Sequence, residues 1–177
     1  MYQQELTTLL YLGMNATIVI YGSSTGTCEA IAEKIASKLG CEAINVQDLS
    51  ADVISNNQNL ILGTSTWGAG ELQDDWYDGL KTLQSADLSG KTIALFGCGD
   101  SSSYSDTFVG GIGELYNGIK DCGARFIGSV TTDDYTFDDS EAVIDGKFIG
   151  LPLDDINEDD KTDTRIEAWI AQISPDL

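Results

Sequence analysis

The chain has 177 residues, 42% of them hydrophobic and 21% charged, which fits one ordinary globular domain with a sizeable core. Twenty-nine acids face nine bases, and the formal net charge of −20 argues against nucleic acid or an anionic membrane as a partner and favours basic ones. There is no histidine, which removes Ser-His-Asp and Cys-His catalysis and most zinc sites.

The first stretch, "MYQQELTTLLYLG", carries no Lys or Arg and no cleavage-site pattern, so it does not read as a signal peptide. Residues 1–13 read instead as a frayed N-terminal extension to a single domain over 14–177. No apolar run is long enough to span a bilayer. Cys28, Cys41, Cys98 and Cys122 form no CxxC pair, so a metal cluster is not indicated and a reducing, cytoplasmic setting is expected.

The first predicted strand is 16–21 (ATIVIY), almost continuous in apolar residues, as suits burial on both faces. It runs into Gly22-Ser23-Ser24-Thr25-Gly26-Thr27 and then a helix over 27–39, with Ile31, Ile35 and Leu39 on one face. The glycines permit a tight turn, and the helix start offers free N–H groups and the positive end of its dipole. The turn lacks the Gly-Lys-Ser/Thr ending of a nucleotide-triphosphate loop and the GxGxxG spacing of a dinucleotide loop. Hydroxyls without a lysine suit a terminal phosphate monoester, which needs holding rather than chemistry. The alternative is a Ser/Thr-rich turn that only caps the helix.

Strands are predicted next at 42–46 and 59–65, a helix at 72–83 with Leu72, Trp76, Leu80 and Leu83 in a stripe, and a strand at 91–97. A helix over 105–121, a strand at 124–130 and a last helix over 163–173 follow. Segment 131–160, rich in acids, breaks the rhythm and reads as an excursion after or within the last strand. Alternation of this kind predicts an α/β fold, a doubly wound parallel sheet with helices on both faces.

Three loops carry a resemblance: "YGSSTGTCE", "TSTWGAGELQDDW" from Thr64 to Trp76, and "ALFGCGDSSSYSDTFVGGIGEL" from Ala94 to Leu115. With the acidic insertion and the ending "GLPLDD…TRIEAWIAQI", the chain resembles the long-chain flavodoxins from about Ala16 to Ile173. The resemblance implies a five-stranded sheet in the order 2-1-3-4-5, the order known for flavodoxins, with FMN at its switch point. It implies that Ser23, Ser24, Thr25, Gly26, Thr27 and Cys28 hold the FMN phosphate. It places Ser65, Thr66, Trp67 and Gly68 at one flavin face, with Trp67 covering it. It places Cys98, Gly99, Asp100, Tyr104, Thr107 and Val109 at the other, with Tyr104 stacked on it. The N–H groups of Asp100 and Val109 would face flavin O2, and the Thr107 carbonyl would face N3–H. The peptide at Gly68 would turn over on reduction and accept a hydrogen bond from N5–H.

Two positions depart from the family. Cys28 stands where a threonine is usual, and a thiol is a weak donor. Ile156 stands where an acid often lies near the ribityl chain, so no ribityl contact is assigned to it. Trp76 and Trp169 sit on apolar helix stripes and read as core. The function implied is that of a low-potential one-electron carrier, not an enzyme. It would bind FMN noncovalently and shuttle between neutral semiquinone and hydroquinone. It would act as a monomer that docks transiently on basic redox partners, such as ferredoxin–NADP reductase-type enzymes and low-potential acceptors. A flavodoxin-like NAD(P)H:quinone oxidoreductase is the alternative. It would need an open flavin face and tolerance of anionic NADPH, which Tyr104 and the net charge oppose. A non-flavin binding domain of the same architecture is a third reading.

Overall fold

The computed structural model describes residues 16–177, so the expectation for residues 1–13 lies outside the described residues. Strand β1 (Thr17–Gly22) leads to helix α1 (Thr27–Leu39), β2 (Glu42–Asn45), the short α2 (Ala51–Asn56) and β3 (Asn59–Trp67). After β4 (Glu71–Leu72) come α3 (Asp75–Gln84), β5 (Thr92–Cys98), α4 (Gly110–Ile119) and β6 (Arg125–Ile127). Then follow β7 (Val130–Thr131), β8 (Val143–Ile144), β9 (Lys147–Phe148), β10 (Leu151–Leu153) and α5 (Asp159–Ile173).

The main sheet runs β2-β1-β3-β5-β10 and is parallel throughout this path, giving the expected 2-1-3-4-5 order of principal strands. Each central strand buries both faces. In β1, Ile18 and Ile20 join the core under α3 and α4, while Val19 and Tyr21 join the core under α1 and α5. Trp76, Leu83, Ile112 and Leu115 fill the first core; Ile31, Ile35, Ile166 and Trp169 fill the second. Trp76 and Trp169 are both core, and each indole N–H donates to a backbone carbonyl, of Gly63 and Gly128 respectively, at 2.8 Å.

The fifth strand is split, which resolves where the excursion begins and ends. β6 pairs with the first half of β5, from Thr92↔Arg125 to Ala94↔Ile127, and β10 pairs with its second half, from Phe96↔Leu151 to Cys98↔Leu153. The predicted strand over 124–130 therefore stops at Ile127. The chain leaves the sheet at Gly128, whose φ of 86° only glycine adopts at low cost. The excursion spans 128–150 rather than 131–160, because apolar Leu151 and Leu153 return to the sheet. Pro152 is tolerated because β10 is an edge strand. Within the excursion β7, β9 and β8 form a small antiparallel sheet. Phe148 stands at 5.0 Å from Phe137, 5.1 Å from Tyr135 and 6.1 Å from Phe108, centroid to centroid.

Three helix predictions also shift, the last helix starting at Asp159 rather than 163. The segment 105–121 becomes a 3-10 turn at Ser105–Thr107 and a helix starting only at Gly110. The segment 72–83 becomes a hairpin strand, β4, and a helix from Asp75. Helix α2 has no predicted counterpart; the Ser50 hydroxyl caps it by accepting from Val53 N–H at 3.3 Å.

Candidate functional site

Because the principal strands are parallel, the loops leaving β1, β3, β5 and β10 all emerge at one edge of the sheet. They enclose a cavity of about 340 Å³, within the range of small-molecule and cofactor sites.

The turn after β1 supplies Thr25 and Thr27 to the lining. Gly26 has φ 93°, a left-handed conformation that suits glycine, and its N–H donates to Ser23 Oγ at 3.1 Å. This bond closes the turn on itself. Gly26 is the N-cap residue of α1 and supplies no side-chain cap, so the helix start keeps its donors for another acceptor. Ser24 Oγ accepts from Gln73 Nε2 at 3.2 Å, which ties the turn to the entry of α3. The thiol of Cys28 points away from this turn. It is fully buried in the core beneath α1, and the neighbouring Cys98 thiol and burial push its pKa well up. Ser23, Ser24, Gly26 and Cys28 thus shape the turn without lining the cavity, whereas Cys98 lines it.

The end of β3 and the turn after it supply Ser65, Thr66, Trp67 and Gly68. Trp67 is 42% exposed, and its indole N–H donates to Ser65 Oγ at 2.9 Å, which fixes the ring beside the cavity. The hairpin that carries it pairs Trp67 with Glu71 and Thr66 with Leu72. α4 anchors this hairpin: Gly111 N–H donates to Thr66 Oγ1 at 3.2 Å, and Leu72 N–H donates to Glu114 Oε2 at 2.7 Å.

The last residue of β5 and the loop after it supply Cys98, Gly99, Asp100, Tyr104, Thr107, Phe108 and Val109. Tyr104 is 55% exposed. The excursion buttresses this loop from behind. Asp138 and Asp139 N–H groups donate to Ser105 O at 2.9 and 3.0 Å, and the Ser140 hydroxyl donates to Phe108 O. Val109 has φ 46°, rare for a β-branched residue, and is fully buried; strain of this kind collects at functional sites. The Asp100 carboxylate accepts from Ser103 N–H at 2.9 Å and from Asn157 Nδ2 at 2.9 Å, and these bonds hold its pKa below the usual carboxylate value.

Two lining residues, Phe108 and Asp155, escape sequence reasoning, and Ile156, to which the sequence assigns no contact, lines the cavity as well. Phe108 is buried in the aromatic cluster and reaches the cavity from below, with no local pattern to mark it. Asp155 and Ile156 follow β10 and complete the rim, and Ile156 is 72% exposed. Placing β10 at Leu151 would have flagged them, since ligands in such sheets sit beyond the carboxyl ends of strands.

The lining holds two loop aromatics and several hydroxyls beside an uncapped helix start, and it contains no Lys or Arg. That donor set suits a flat aromatic group carrying one phosphate, which hydroxyls and a helix dipole can bind without a cation.

The comparisons agree. The family model for flavodoxin matches residues 19–169. Flavodoxin 1 of Azotobacter vinelandii is 47% identical over 166 residues, spanning 90% of this chain and 95% of that one. A flavodoxin of Nostoc sp. is 42% identical over 162 residues, with the same coverage of 90% and 95%. Among solved structures, Fusobacterium nucleatum flavodoxin bound to flavin mononucleotide superposes with a TM-score of 0.86 at 32% identity, covering 93% of this chain and 99% of that one. With its sheet order, its three loops at one sheet edge and these relatives along nearly its whole length, the chain belongs to the flavodoxin family.

Proposed function

We propose that this chain is a one-electron carrier that binds FMN noncovalently in the cavity between Trp67 and Tyr104. Flavodoxins are electron-transfer proteins rather than enzymes. The observation that carries the reading is the pairing of two aromatic side chains at the cavity with an uncapped helix start beside Thr25 and Thr27. Bound FMN supplies the reversible one-electron chemistry.

The chain's own residues bind, orient and shield. Ser23, Ser24, Thr25, Gly26 and Thr27 form the phosphate turn, with Cys28 contributing its backbone N–H and not its thiol. Ser65, Thr66, Trp67 and Gly68 make one wall. Cys98, Gly99, Asp100, Tyr104, Thr107 and Val109 make the other. Tyr104 at the second wall leaves little room for a hydride donor, which disfavours a quinone reductase.

The net charge of −20 supports transient docking on basic redox proteins, with on-rates that fall as salt rises. Exposed Trp67, Tyr104 and Ile156 at the mouth supply the apolar contact such encounters need. We further propose that the protein acts as a monomeric single domain over 14–177 in the cytoplasm. The four unpaired cysteines support this setting. Among the described residues no helix is long and apolar enough to cross a membrane.

The test is an anaerobic reductive titration followed by visible spectroscopy. A yellow protein that passes through a distinct one-electron-reduced flavin spectrum supports the reading. A protein that ignores added FMN, or that turns over NADPH and quinone steadily, overturns it.

A further inference from the structure

Asp154 has a side chain with no contact to the cavity, yet more of the site's backbone converges on it than on any lining residue. It follows the last residue of β10 and is fully buried. Its Oδ2 accepts from Ser101 N–H at 3.0 Å and from the Ser101 hydroxyl. Its Oδ1 accepts from Ile156 N–H at 3.2 Å and Asn157 N–H at 3.0 Å. The Asn157 amide closes the network, because Nδ2 donates to Asp154 Oδ1 at 3.1 Å and to Asp100 Oδ1 at 2.9 Å. Asp100 in turn accepts from Ser102 and Ser103 N–H. One carboxylate therefore sets two walls at once: the Gly99–Tyr104 loop and the rim at Asp155 and Ile156.

We propose that Asp154 is a positioning residue, which holds Tyr104 and Ile156 in register across the cavity. A buried carboxylate is costly unless its oxygens are fully used, and here both are. Hydrogen bonds to a charged acceptor are also the strong ones, so the tie is stiff. Preorganised walls lower the ordering cost of binding a flat ligand. The substitution Asp154→Asn removes the charge, turns an N–H₂ toward donors on one side and loses that stiffness. The inference deepens the FMN-carrier reading, but its first test does not depend on it.

That test is amide hydrogen exchange on the apoprotein. In Asp154→Asn, the amides of Ser101, Ser102 and Ser103 should exchange at least tenfold faster beyond any loss of protection that β1 and β3 share with them. Next, FMN is titrated into each variant by flavin fluorescence. The Kd should rise at least tenfold in Asp154→Asn, with a smaller rise in Ser101→Ala and Asn157→Ala. Leu83→Ala, far from the loops, provides a control that is destabilised without touching the network. Exchange at 101–103 that rises no more than in β1 and β3, or a Kd in Leu83→Ala raised as much as in Asp154→Asn, overturns the proposal. If Asp154→Asn does not fold, Ser101→Ala and Asn157→Ala decide by the same two measurements. If the wild-type protein binds no FMN, the carrier reading falls and the exchange measurement alone decides this one.

Discussion

Gly110 backs onto Gly70 so closely that a Cβ on Gly110 would lie 2.6 Å from the Gly70 carbonyl oxygen and 2.8 Å from its Cα. The contact is backbone against backbone, so neither side can swing away. It joins the first residue of α4 to the hairpin turn that carries Trp67. Alanine at Gly110 would gain up to about 1 kcal/mol of helix propensity. Forcing the hairpin off the helix costs more, about 1–3 kcal/mol. We expect Gly110→Ala to lose about 1–2 kcal/mol in urea unfolding of the apoprotein and to weaken FMN binding, read by fluorescence titration. Wild-type affinity would show that the hairpin's seat does not matter to the site.

Gly68 has φ 50°, and a Cβ there would meet only the mobile end of Glu71, with Oε2 at 2.9 Å. Space is therefore not the constraint; backbone conformation is. A left-handed non-glycine residue costs about 1–2 kcal/mol, and alanine also narrows the conformations open to this peptide. Gly68→Ala should lower the maximum fraction of one-electron-reduced flavin in a reductive titration, alongside a loss of about 1–2 kcal/mol in apoprotein stability. An unchanged fraction would remove Gly68 from any part in redox tuning.

Asp154 predicts a specific pH dependence. Burial opposes its ionisation, but the hydrogen bonds from Ser101 and Asn157 outweigh burial and hold its pKa below the usual value. A depressed folded-state pKa gives stability that is present above the unfolded value, near 4, and lost as pH falls through the folded value. The stability gap between wild type and Asp154→Asn should be about 2–3 kcal/mol at pH 7. It should shrink steadily below about pH 4, where the wild-type carboxyl takes up its proton. Urea titrations of the two apoproteins at matched pH values read the difference directly, since every other titrating group cancels. A gap that stays constant from about pH 7 to about pH 3 would show that the charge contributes nothing.

The lack of any cation in the cavity lining, in a chain of net charge −20, fixes the sign of a salt effect. Phosphate binding opposes the field of the whole protein, and raising salt from about 10 mM to 150 mM shortens the screening length from about 30 to 8 Å. FMN affinity should therefore rise over that range, whereas binding to a basic redox partner should fall. A phosphate turn held by a lysine would behave in the opposite way. Isothermal titration with FMN at several salt concentrations separates the two, and an affinity that declines with salt would contradict the hydroxyl-and-dipole description.

Much of this was legible because burial on two faces writes itself into a strand. Ile18, Val19 and Ile20 read as a parallel-sheet strand without help, and Trp67 and Tyr104 stood out as aromatics among glycines and serines. What stayed hidden depends on tertiary partners. Leu151-Pro152-Leu153 is too short to announce a strand, and its edge position becomes meaningful only once β5 is beside it. Val109 gives no local sign of a left-handed backbone. Cys28 reads as a phosphate ligand from its place in the turn, and only the packing of α1 turns its thiol inward. Asp154 reads as one more acid in the acid-rich segment 131–160, because burial is a property of the fold and not of the residue.

The excursion depends on Arg165, whose guanidinium carbon lies 4.0 Å from the centre of the Tyr135 ring. Nη2 donates to Asp134 Oδ2 at 3.1 Å and to Asp134 O at 2.8 Å, with Glu158 Oε1 at 3.4 Å. Nη1 is buried and makes no hydrogen bond, so the ring face is where that side of the cation finds compensation. Burial pushes the Tyr135 phenol well up, which keeps it protonated to donate to Pro152 O at 2.8 Å across the sheet edge. Asp134 is 65% exposed, so its ion pair contributes little; the stacking and the Glu158 contact matter more. Lysine keeps the charge but neither the plane nor the fork. Arg165→Lys should destabilise the apoprotein by about 1–3 kcal/mol and speed amide exchange across 128–150 before the central strands. A double-mutant cycle with Tyr135→Leu isolates the stacking, with an expected coupling of about 0.5–2 kcal/mol. Strict additivity would mean that the ring and the cation are neighbours without being partners.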